Sequence, residues 1–259
     1  MAINPKRFLV KVSGEALMGG LSHGLDPATL ERIARDIAKA AKTREIAIVV
    51  GGGNIFRGLH GTARGIERNT GDSMGRLATV INALALADAI RAAGKAAVAL
   101  SADAMPSLCQ SYHQRDADAL LTGGTVVVLG GGTGQPFFTT DTAAALRAAE
   151  LDCAAVLKAT NVDGVYSADP RKDPKATRYD SLTHDEAIAK NLGVMDTAAF
   201  ALARENSLPI IVFSIQDKDA IANVLAGKGR ATRVLPSKIV SPGKSGLNKN
   251  ASGKALKGK

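Results

Sequence analysis

Two glycine runs mark the places where this sequence could bind an anion. Residues 49–58 read VVGGGNIFRG and residues 130–141 read GGGTGQPFFTTD, each at the end of an apolar run. Glycine loses more backbone entropy on folding than any other residue, so three in succession imply a close approach to the backbone. Backbone N–H groups without neighbouring side chains can bind phosphate oxygens, and a helix that begins just beyond adds its positive dipole end. The two runs therefore predict a phosphate site.

Lysine, arginine and aspartate residues could complete such a site. Lys11 and Lys158 lie at the ends of apolar runs, where a buried lysine is rare unless it is paired with an acid. Asp141, the last residue of the second glycine-rich segment, is the acid that we expect between them. Arg57 could bind a phosphate through two parallel hydrogen bonds, which lysine cannot do. In the alternative interpretation, both lysines lie at strand ends and extend into solvent.

The histidines and cysteines support neither a covalent hydrolase nor a zinc enzyme. They are scattered, without metal-ligand spacing: His23, His60, His113, His184, Cys109 and Cys153. The sequence contains no nucleophile elbow and no H-E-x-x-H motif. It also lacks a complete Walker loop and a complete G-x-G-x-x-G fingerprint. We expect no metal ligands from the protein itself and interpret both cysteines as reduced thiols.

The glycine and lysine segments lie at the ends of short apolar runs that have the character of buried strands. These runs are continuous rather than alternating, which is typical of strands covered on both faces. Six strands are predicted: Phe8–Val12, Glu45–Val50, Ala96–Leu100, Thr125–Leu129, Ala154–Lys158 and Pro209–Phe213. Because ligands of open α/β sheets bind at the carboxyl ends of the strands, the polar residues should meet there.

Helical segments lie between most of these strands. The clearest begins at Asp26, a natural N-cap, with Pro27 in the first helical position. We predict a second long helix after Asp72 and a third after Asp141, with Thr139 or Thr140 capping the latter. This alternation predicts an α/β fold, a three-layer αβα sandwich with a mostly parallel central sheet.

The charge distribution separates a folded domain from a basic tail. Residues 241–259 contain five lysines and no acid, which leaves +4 of the formal net charge of +9 for residues 1–240. The tail is rich in Gly, Ser and Asn and has too little apolar surface to order itself. We interpret residues 1–240 as one domain and residues 241–259 as a disordered tail. The tail could bind nucleic acid or anionic lipid through its charge, or serve solubility alone.

The composition predicts a cytoplasmic protein that does not associate with membranes. No apolar run approaches the roughly 20 residues that a membrane-spanning helix needs. The opening residues, MAINPKRFLVKVSG, contain no long apolar stretch of the kind found in signal peptides.

Several segments together resemble the bacterial UMP kinases, a branch of the amino-acid kinase family that is unrelated to P-loop kinases. The resemblance extends in order over about residues 7–236. It rests on KVSGEAL at 11–17, GGGNIFRG at 51–58, GDSMGRLATVINALALADAI at 71–90, GTGQPFFTTD at 132–141, LKATNVDGVYSADPRKDP at 157–174 and VMDTAAFALARENSLPI at 194–210. It implies the amino-acid kinase fold and phosphorylation of UMP to UDP by ATP, with Mg²⁺ carried by the nucleotide.

The resemblance also implies the residues of two nucleotide sites. The ATP-binding residues would be Lys11, Val12, Ser13, Gly14, Gly53, Arg57, Thr160, Asn161, Tyr166 and Asp169. The UMP-binding residues would be Gly52, Asp72, Thr133, Gly134, Gln135, Pro136, Phe137, Phe138, Thr139 and Thr140. The catalytic group would consist of Lys11, Lys158, Asp141 and Arg57. Asp72 matches the acid that holds the ribose in the family, and Gln135 stands where some relatives have Asn.

The implied reaction needs no general base, because a phosphate oxygen of UMP is already anionic near neutral pH. Relatives are commonly hexamers whose activity responds to GTP and UTP, so we expect a homo-oligomer, hexameric by resemblance. Two alternatives remain open. One is a kinase for a carboxylate or carbamate acceptor, and the other is a nucleotide-sensing regulator that binds nucleic acid through its tail.

Overall fold

The structure, a computed structural model, describes residues 4–56, 65–170, 172–193 and 195–236. The predicted site residue Arg57, the boundary at residue 240 and the tail 241–259 lie outside this part of the chain. The described strands are Arg7–Val12 (β1), Glu45–Val50 (β2), Ala97–Ser101 (β3), Gln110–Ser111 (β4), Val126–Gly130 (β5), Val156–Thr160 (β6), Ser181–Thr183 (β7), Ile210–Ser214 (β8) and Ala231–Leu235 (β9). They form one sheet in the order β4-β3-β5-β2-β1-β6-β8-β9-β7.

The sheet is mostly parallel, as the sequence predicted. All of its pairings are parallel except that between β8 and β9, which is antiparallel. The six predicted strands are present, with ends displaced by at most two residues. Three strands toward the sheet edges, β4, β7 and β9, were not predicted from the sequence. The first two are very short, and β9 alternates more and less exposed residues instead of forming a continuous apolar run.

The helices follow most strands, and two of their predicted caps are confirmed. The described α-helices are Pro27–Ala40 (α1), Arg68–Ala92 (α2), Gln114–Thr122 (α3), Thr140–Glu150 (α4), His184–Ala189 (α5), Thr197–Glu205 (α6) and Ala220–Leu225 (α7). The Asp26 carboxylate accepts a hydrogen bond from the Thr29 N–H at 2.9 Å. Thr139 caps α4 by accepting from the N–H groups of Asp141 and Thr142. Each cap satisfies backbone donors that the first helical turn leaves without partners.

The predicted start of the second long helix was wrong. α2 begins at Arg68, before Asp72, and its N-cap is Glu67, whose carboxylate accepts from the Thr70 N–H at 3.0 Å. Glutamate is not among the preferred N-cap residues, and the first turn, RNTG, contains weak helix formers. For these reasons the first turn of α2 was not predicted from the sequence. Asp72 therefore lies inside the helix and extends from its side.

Two apolar layers hold the helices on opposite faces of the sheet. Val10, Ile48 and their neighbours pack with apolar residues of α1, α2 and α7. Leu9 and Val49, which point to the other face because side chains alternate along a strand, pack with residues of α3 to α6. The architecture is thus the three-layer αβα sandwich that the sequence predicted.

The expectation that no segment approaches a membrane-spanning helix was wrong for α2, which is long and apolar enough to cross a membrane by length and composition alone. In this fold 44% of its most apolar window is buried, and Leu86 and Ile90 are fully inaccessible in the core. The core helix of an α/β fold passes the same test, so these features alone are weak evidence for a membrane span.

Candidate active site

Two lysines lie side by side at the carboxyl end of the sheet. Lys11 on β1 and Lys158 on β6 are direct neighbours in the parallel register of the two strands. The Asp141 carboxylate lies between them, with Oδ1 2.9 Å from the Lys11 Nζ and Oδ2 2.5 Å from the Lys158 Nζ. The three side chains are only 10–15% exposed. The predicted pairing is therefore present, and the interpretation with both lysines extending into solvent was wrong.

Burial and charge act in opposite directions on the ionisation of this cluster. Burial alone would raise the pKa of Asp141, but the charges of Lys11 and Lys158 outweigh it and hold the pKa below its ordinary value. Burial lowers the pKa of Lys158, although the neighbouring Asp141 carboxylate opposes that effect. The cluster in its charged form carries a net charge of +1 and can neutralise an anion placed beside it.

The N-termini of two helices fix the position of Asp141. Asp141 lies in the first turn of α4, next to the cap residue Thr139. The Thr139 hydroxyl donates to Asp196, which also accepts from the Thr142 hydroxyl at 3.0 Å. Asp196 in turn caps α6 by accepting from the Ala199 N–H at 2.9 Å. Asp196 was not predicted as a site residue, although an aspartate ahead of TAAFALARE has the pattern of an N-cap.

The glycines after β1 and β2 are required by packing within the protein itself. A Cβ atom on Gly51 would lie 2.8 Å from the backbone nitrogen of Gly14. A Cβ atom on Gly52 would lie 2.8 Å from the carbonyl oxygen of Gly75 on α2. Packing is therefore a sufficient reason for glycine at Gly51 and Gly52, and the approach of a phosphate to this loop stays a prediction. The Gly51 N–H donates to the Val12 carbonyl at 2.8 Å, whereas the Gly52 N–H is a candidate phosphate donor.

A pair of buried side-chain amides fixes the loop after β2 (residues 51–54, here called the glycine loop) to α2. Asn54 and Asn82 donate to each other through Nδ2 at 3.1 and 2.7 Å. Asn82 also donates to the Gly51 carbonyl at 2.7 Å, and Asn54 to the Gly24 carbonyl at 2.9 Å. Asn82 was not predicted from the sequence, because a single Asn within a long helical segment carries no local signal of a buried partner. The loop is thus held rigid at the end of β2.

A cavity of about 340 Å³, here called the β2–β5 cavity, lies beside the glycine loop. The predicted UMP-binding residues that line it are Gly52, Asp72, Thr133, Gln135, Phe138, Thr139 and Thr140. Gly53, predicted for ATP, lines it as well. Arg68, Arg76 and Thr79 of α2 also line it and were not predicted. Gly134, Pro136 and Phe137 are not among the lining residues, and Gly134 packs over Ala102 instead.

Asp72 anchors the loop that carries the two phenylalanines. It makes a two-point contact with the Nε of Arg68, at 3.0 and 2.9 Å, and its Oδ2 accepts from the Phe137 N–H at 2.8 Å. Phe137 adopts a left-handed conformation (φ 70°), which is uncommon for a bulky residue. Its exposed ring lies under the Arg68 guanidinium, 5.3 Å from the ring centre. The Asp72 carboxylate therefore links α2 to the rim of the β2–β5 cavity.

A second cavity of about 490 Å³, the β6–β8 cavity, lies on the other side of the lysine pair. Four predicted residues line it: Lys158, Thr160, Tyr166 and Asp169. The predicted Asn161 is not among its lining residues, and its side chain accepts from the Gln216 amide at 3.0 Å. The Tyr166 hydroxyl donates to Asp163 at 2.6 Å. The segment 190–193 closes the cavity on the far side.

The predicted ATP loop at the end of β1 lies beside the lysine pair. Val12 is fully buried, and its carbonyl accepts from the Gly51 N–H at 2.8 Å, so its contact with ATP stays a prediction. Ser13 caps a short 3₁₀ helix, Gly14–Leu17, by accepting from the Ala16 N–H at 3.3 Å. Since β1 lies between β2 and β6, this loop and the lysines separate the two cavities.

Known proteins share this sequence over nearly the whole folded region. Residues 6–214 match the model of the amino acid kinase family. The uridylate kinase of Azorhizobium caulinodans is 59% identical over 231 residues, which cover 89% of this chain and 97% of that protein. The uridylate kinase of Sinorhizobium medicae is 58% identical over 233 residues, which cover 90% and 97%.

Solved structures share the fold. The UMP kinase from Ureaplasma parvum superimposes with a TM-score of 0.86 at 37% identity, covering 90% of this chain and 100% of that one. The UMP kinase from Bacillus anthracis gives a TM-score of 0.85 at 34% identity, covering 90% and 97%.

Proposed function

This chain belongs to the amino acid kinase family, within its uridylate kinases, and we propose that it transfers the γ-phosphoryl group of ATP to UMP. The products are ADP and UDP. The observation that carries the proposal is the Lys11–Asp141–Lys158 cluster, which lies between two cavities, each of a size to take a nucleotide. ATP occupies the β6–β8 cavity, UMP the β2–β5 cavity, and the transferred group passes beside the lysines.

The two lysines act on the charge of the phosphoryl group. Phosphoryl transfer consists mainly of positioning and of neutralising negative charge on the transferring oxygens. Lys11 and Lys158 are held 2.9 and 2.5 Å from one carboxylate, so their positions are set before substrate arrives. Asp141 orients the lysines, and the N–H groups of Gly52 and Gly53 assist. Arg57, which lies outside the described residues, is proposed to bind phosphate from the glycine loop.

The reaction proceeds without a general base. The attacking atom is a phosphate oxygen of UMP that already carries negative charge, so no proton has to be removed. Among the described residues that line the two cavities there is no histidine or glutamate. Mg²⁺ enters as part of the Mg·ATP substrate, bound to phosphate oxygens, the hard ligands that this ion prefers.

We also propose that the protein is a cytoplasmic homo-oligomer. Met74, Leu77 and Ile81 are 37–51% exposed and recur at three- and four-residue spacing along one side of α2. A second copy of this chain would remove that apolar stripe from water. The hexameric state and the responses to GTP and UTP remain predictions from the resemblance, as does nucleic-acid binding through the tail.

An ADP-release assay with Mg·ATP tests the function. Purified full-length protein is compared with UMP, CMP, dTMP and acetylglutamate as acceptors. We expect strong preference for UMP. Turnover of acetylglutamate instead would support the carboxylate kinase, and tight UMP binding without turnover of any acceptor would support the nucleotide-sensing regulator.

A further inference from the structure

We propose that Arg76 recognises the base of the acceptor nucleotide by donating hydrogen bonds to the 4-oxo group of uracil. This contact selects UMP over CMP. The inference rests on the proposed function and assigns the preference for uracil over cytosine to one side chain. Arg76 has no place among the residues that the resemblance implies.

Two hydrogen bonds fix the backbone of Arg76 against the second glycine run. The Thr79 hydroxyl donates to the Arg76 carbonyl at 2.6 Å and accepts from the Gly131 N–H at 2.8 Å. Arg76 lies one helical turn after Asp72 on α2, and both residues line the β2–β5 cavity. The Arg76 backbone is therefore positioned before any ligand binds.

A carboxylate holds one edge of the Arg76 guanidinium. Its Nε donates to Asp103 Oδ2 at 3.1 Å, and the two side chains are 21% and 27% exposed. The Asp103 backbone is itself held, because its N–H donates to the Ser101 hydroxyl at 3.1 Å. The terminal amino groups of Arg76 donate to no group in the part of the chain that the structure describes. Guanidinium has five N–H donors, so four remain for a ligand in the cavity.

The order of the strands places Arg76 at the base end of the acceptor. Lys11 lies on β1, Gly52 follows β2, and Asp103 follows β3, with β5 between β2 and β3. Three strand intervals of ~4.8 Å put the end of β3 about 14 Å from β1. A nucleoside monophosphate with its phosphate beside the lysines and Gly52 would extend its base towards β5 and β3. The 4-position is on the side of the pyrimidine away from the sugar, and it reaches furthest in that direction.

The chemistry of the 4-position explains the selectivity. Uracil presents a carbonyl oxygen there, which accepts from the guanidinium, whereas cytosine presents an amino group, which can only donate. With cytosine, the Arg76 donors would face the 4-amino group, which offers them no acceptor at that position. A site built to hydrogen-bond one substrate group rejects an analogue that leaves those donors unpaired. Arg76 thus discriminates between bases as well as adding positive charge.

The test measures kcat/KM for UMP and CMP in the full chain and in Arg76→Met, which keeps the unbranched stem as far as the Nε position but removes every donor. Arg35→Met is the matched control, since Arg35 is 64% exposed on α1 and pairs with Glu31. We expect the UMP/CMP ratio of Arg76→Met to fall by at least about 10-fold, mainly through weaker use of UMP. Arg35→Met should keep the ratio of the unmodified protein. Circular dichroism and thermal unfolding establish that both variants fold.

A substrate analogue locates the contact on the base. 4-Thio-UMP carries a weaker acceptor at the 4-position, so the unmodified protein should prefer UMP over it, and Arg76→Met should lose most of that preference. A folded Arg76→Met that loses UMP and CMP activity equally would overturn the inference, because Arg76 would then act on the phosphate. An unchanged UMP/CMP ratio would overturn it as well. In both of these outcomes the unmodified protein still phosphorylates UMP. If the unmodified protein itself had no activity with UMP, the proposed function would be refuted.

Discussion

At the scale of single residues, the site depends on one carboxylate shared by two buried ammonium groups. Lys11 and Lys158 are neighbours on adjacent strands and would repel each other without Asp141 between them. Removing charges from water costs free energy that a buried ion pair seldom returns in full. The cluster is therefore weak evidence for stability and fits better with a role in handling anionic substrates.

Lys11→Ala should lower kcat for UMP phosphorylation by at least about 10²-fold, a loss of roughly 3 kcal/mol of transition-state stabilisation. Only Lys158 then remains to pair with Asp141. The two charges cancel, so less positive charge is left to stabilise the phosphoryl group. Steady-state kinetics with Mg·ATP and UMP measure the effect. Lys39→Ala, at an exposed lysine that pairs with Asp219, is the control and should leave kcat unchanged. A folded Lys11→Ala with near-normal kcat would remove Lys11 from the catalytic group.

The pH dependence of activity should report the ionisation of Lys158. Burial places its pKa below the ordinary 10.5, so kcat should fall as pH rises through that lowered pKa and the ammonium charge is lost. Asp141→Asn removes the negative charge that opposes the lowering. The alkaline limb of the kcat profile should then move to lower pH. Direct measurement of ADP by chromatography avoids coupling enzymes that have their own pH limits.

The control for this pH experiment is Asp219→Asn, which removes a carboxylate 2.7 Å from the exposed Lys39. Its profile should coincide with that of the unmodified protein. If Asp141→Asn also left the alkaline limb in place, ionisation of Lys158 would not limit the reaction.

At the scale of elements, the site is built where strand-end loops touch each other and the helices. The loops after β1 and β2 approach so closely that Gly14 and Gly51 exclude side chains from each other. The Asn54–Asn82 amide pair fixes the second loop to α2. Asp196 joins the starts of α4 and α6 through Thr139 and its own cap. These contacts set the spacing between the glycine N–H groups and the lysines.

Gly51→Ala should therefore disturb the site although it adds only a methyl group. The new Cβ would lie 2.8 Å from the Gly14 nitrogen, so the two loops have to separate. We expect destabilisation by about 1–3 kcal/mol in urea unfolding, together with a lower kcat. Gly20→Ala is the matched control, because its Cβ would have no atom within 4 Å. Equal stability of the two variants would contradict the packing account.

At the scale of the whole molecule, α2 has two functions on different sides. One side packs on the sheet and lines the β2–β5 cavity through Asp72, Arg76 and Thr79. Another side leaves Met74, Leu77 and Ile81 partly exposed. If a second copy covers this stripe, assembly and the acceptor site share one rigid helix, and changes at the interface would reach the site through α2.

Ile81→Glu should reduce the oligomeric state, because a charge would be placed in the middle of the apolar stripe and desolvated on assembly. Light scattering after size-exclusion chromatography measures the mass in solution. Leu21→Glu is the control, since Leu21 is equally exposed, at 49% against 51%, but lies outside α2. An unchanged mass for Ile81→Glu would place the subunit interface elsewhere or leave the protein monomeric.

Much of the fold could be predicted because its signals are local. Continuous apolar runs located six strands, and Asp26 and Thr139 marked two helix starts through cap chemistry. The Lys–Asp cluster was predictable because a buried lysine needs an acid and few candidates lie near the strand ends. Arg76 and Asn82 were not predictable, since their partners Asp103 and Asn54 are 27 and 28 residues away.

By itself, the sequence determined the strand–helix alternation, the glycine-rich strand ends and the family to which the chain belongs. These follow from periodicity, from caps and from motifs that persist without any long-range contact. Only the tertiary structure decided why the glycines are needed, since Gly51 and Gly52 meet the backbones of Gly14 and Gly75. It also decided that Arg76 lines a cavity, because the direction of a helical side chain depends on how the helix is packed. The contacts that complete the site join segments distant in sequence, and folding alone brings them together.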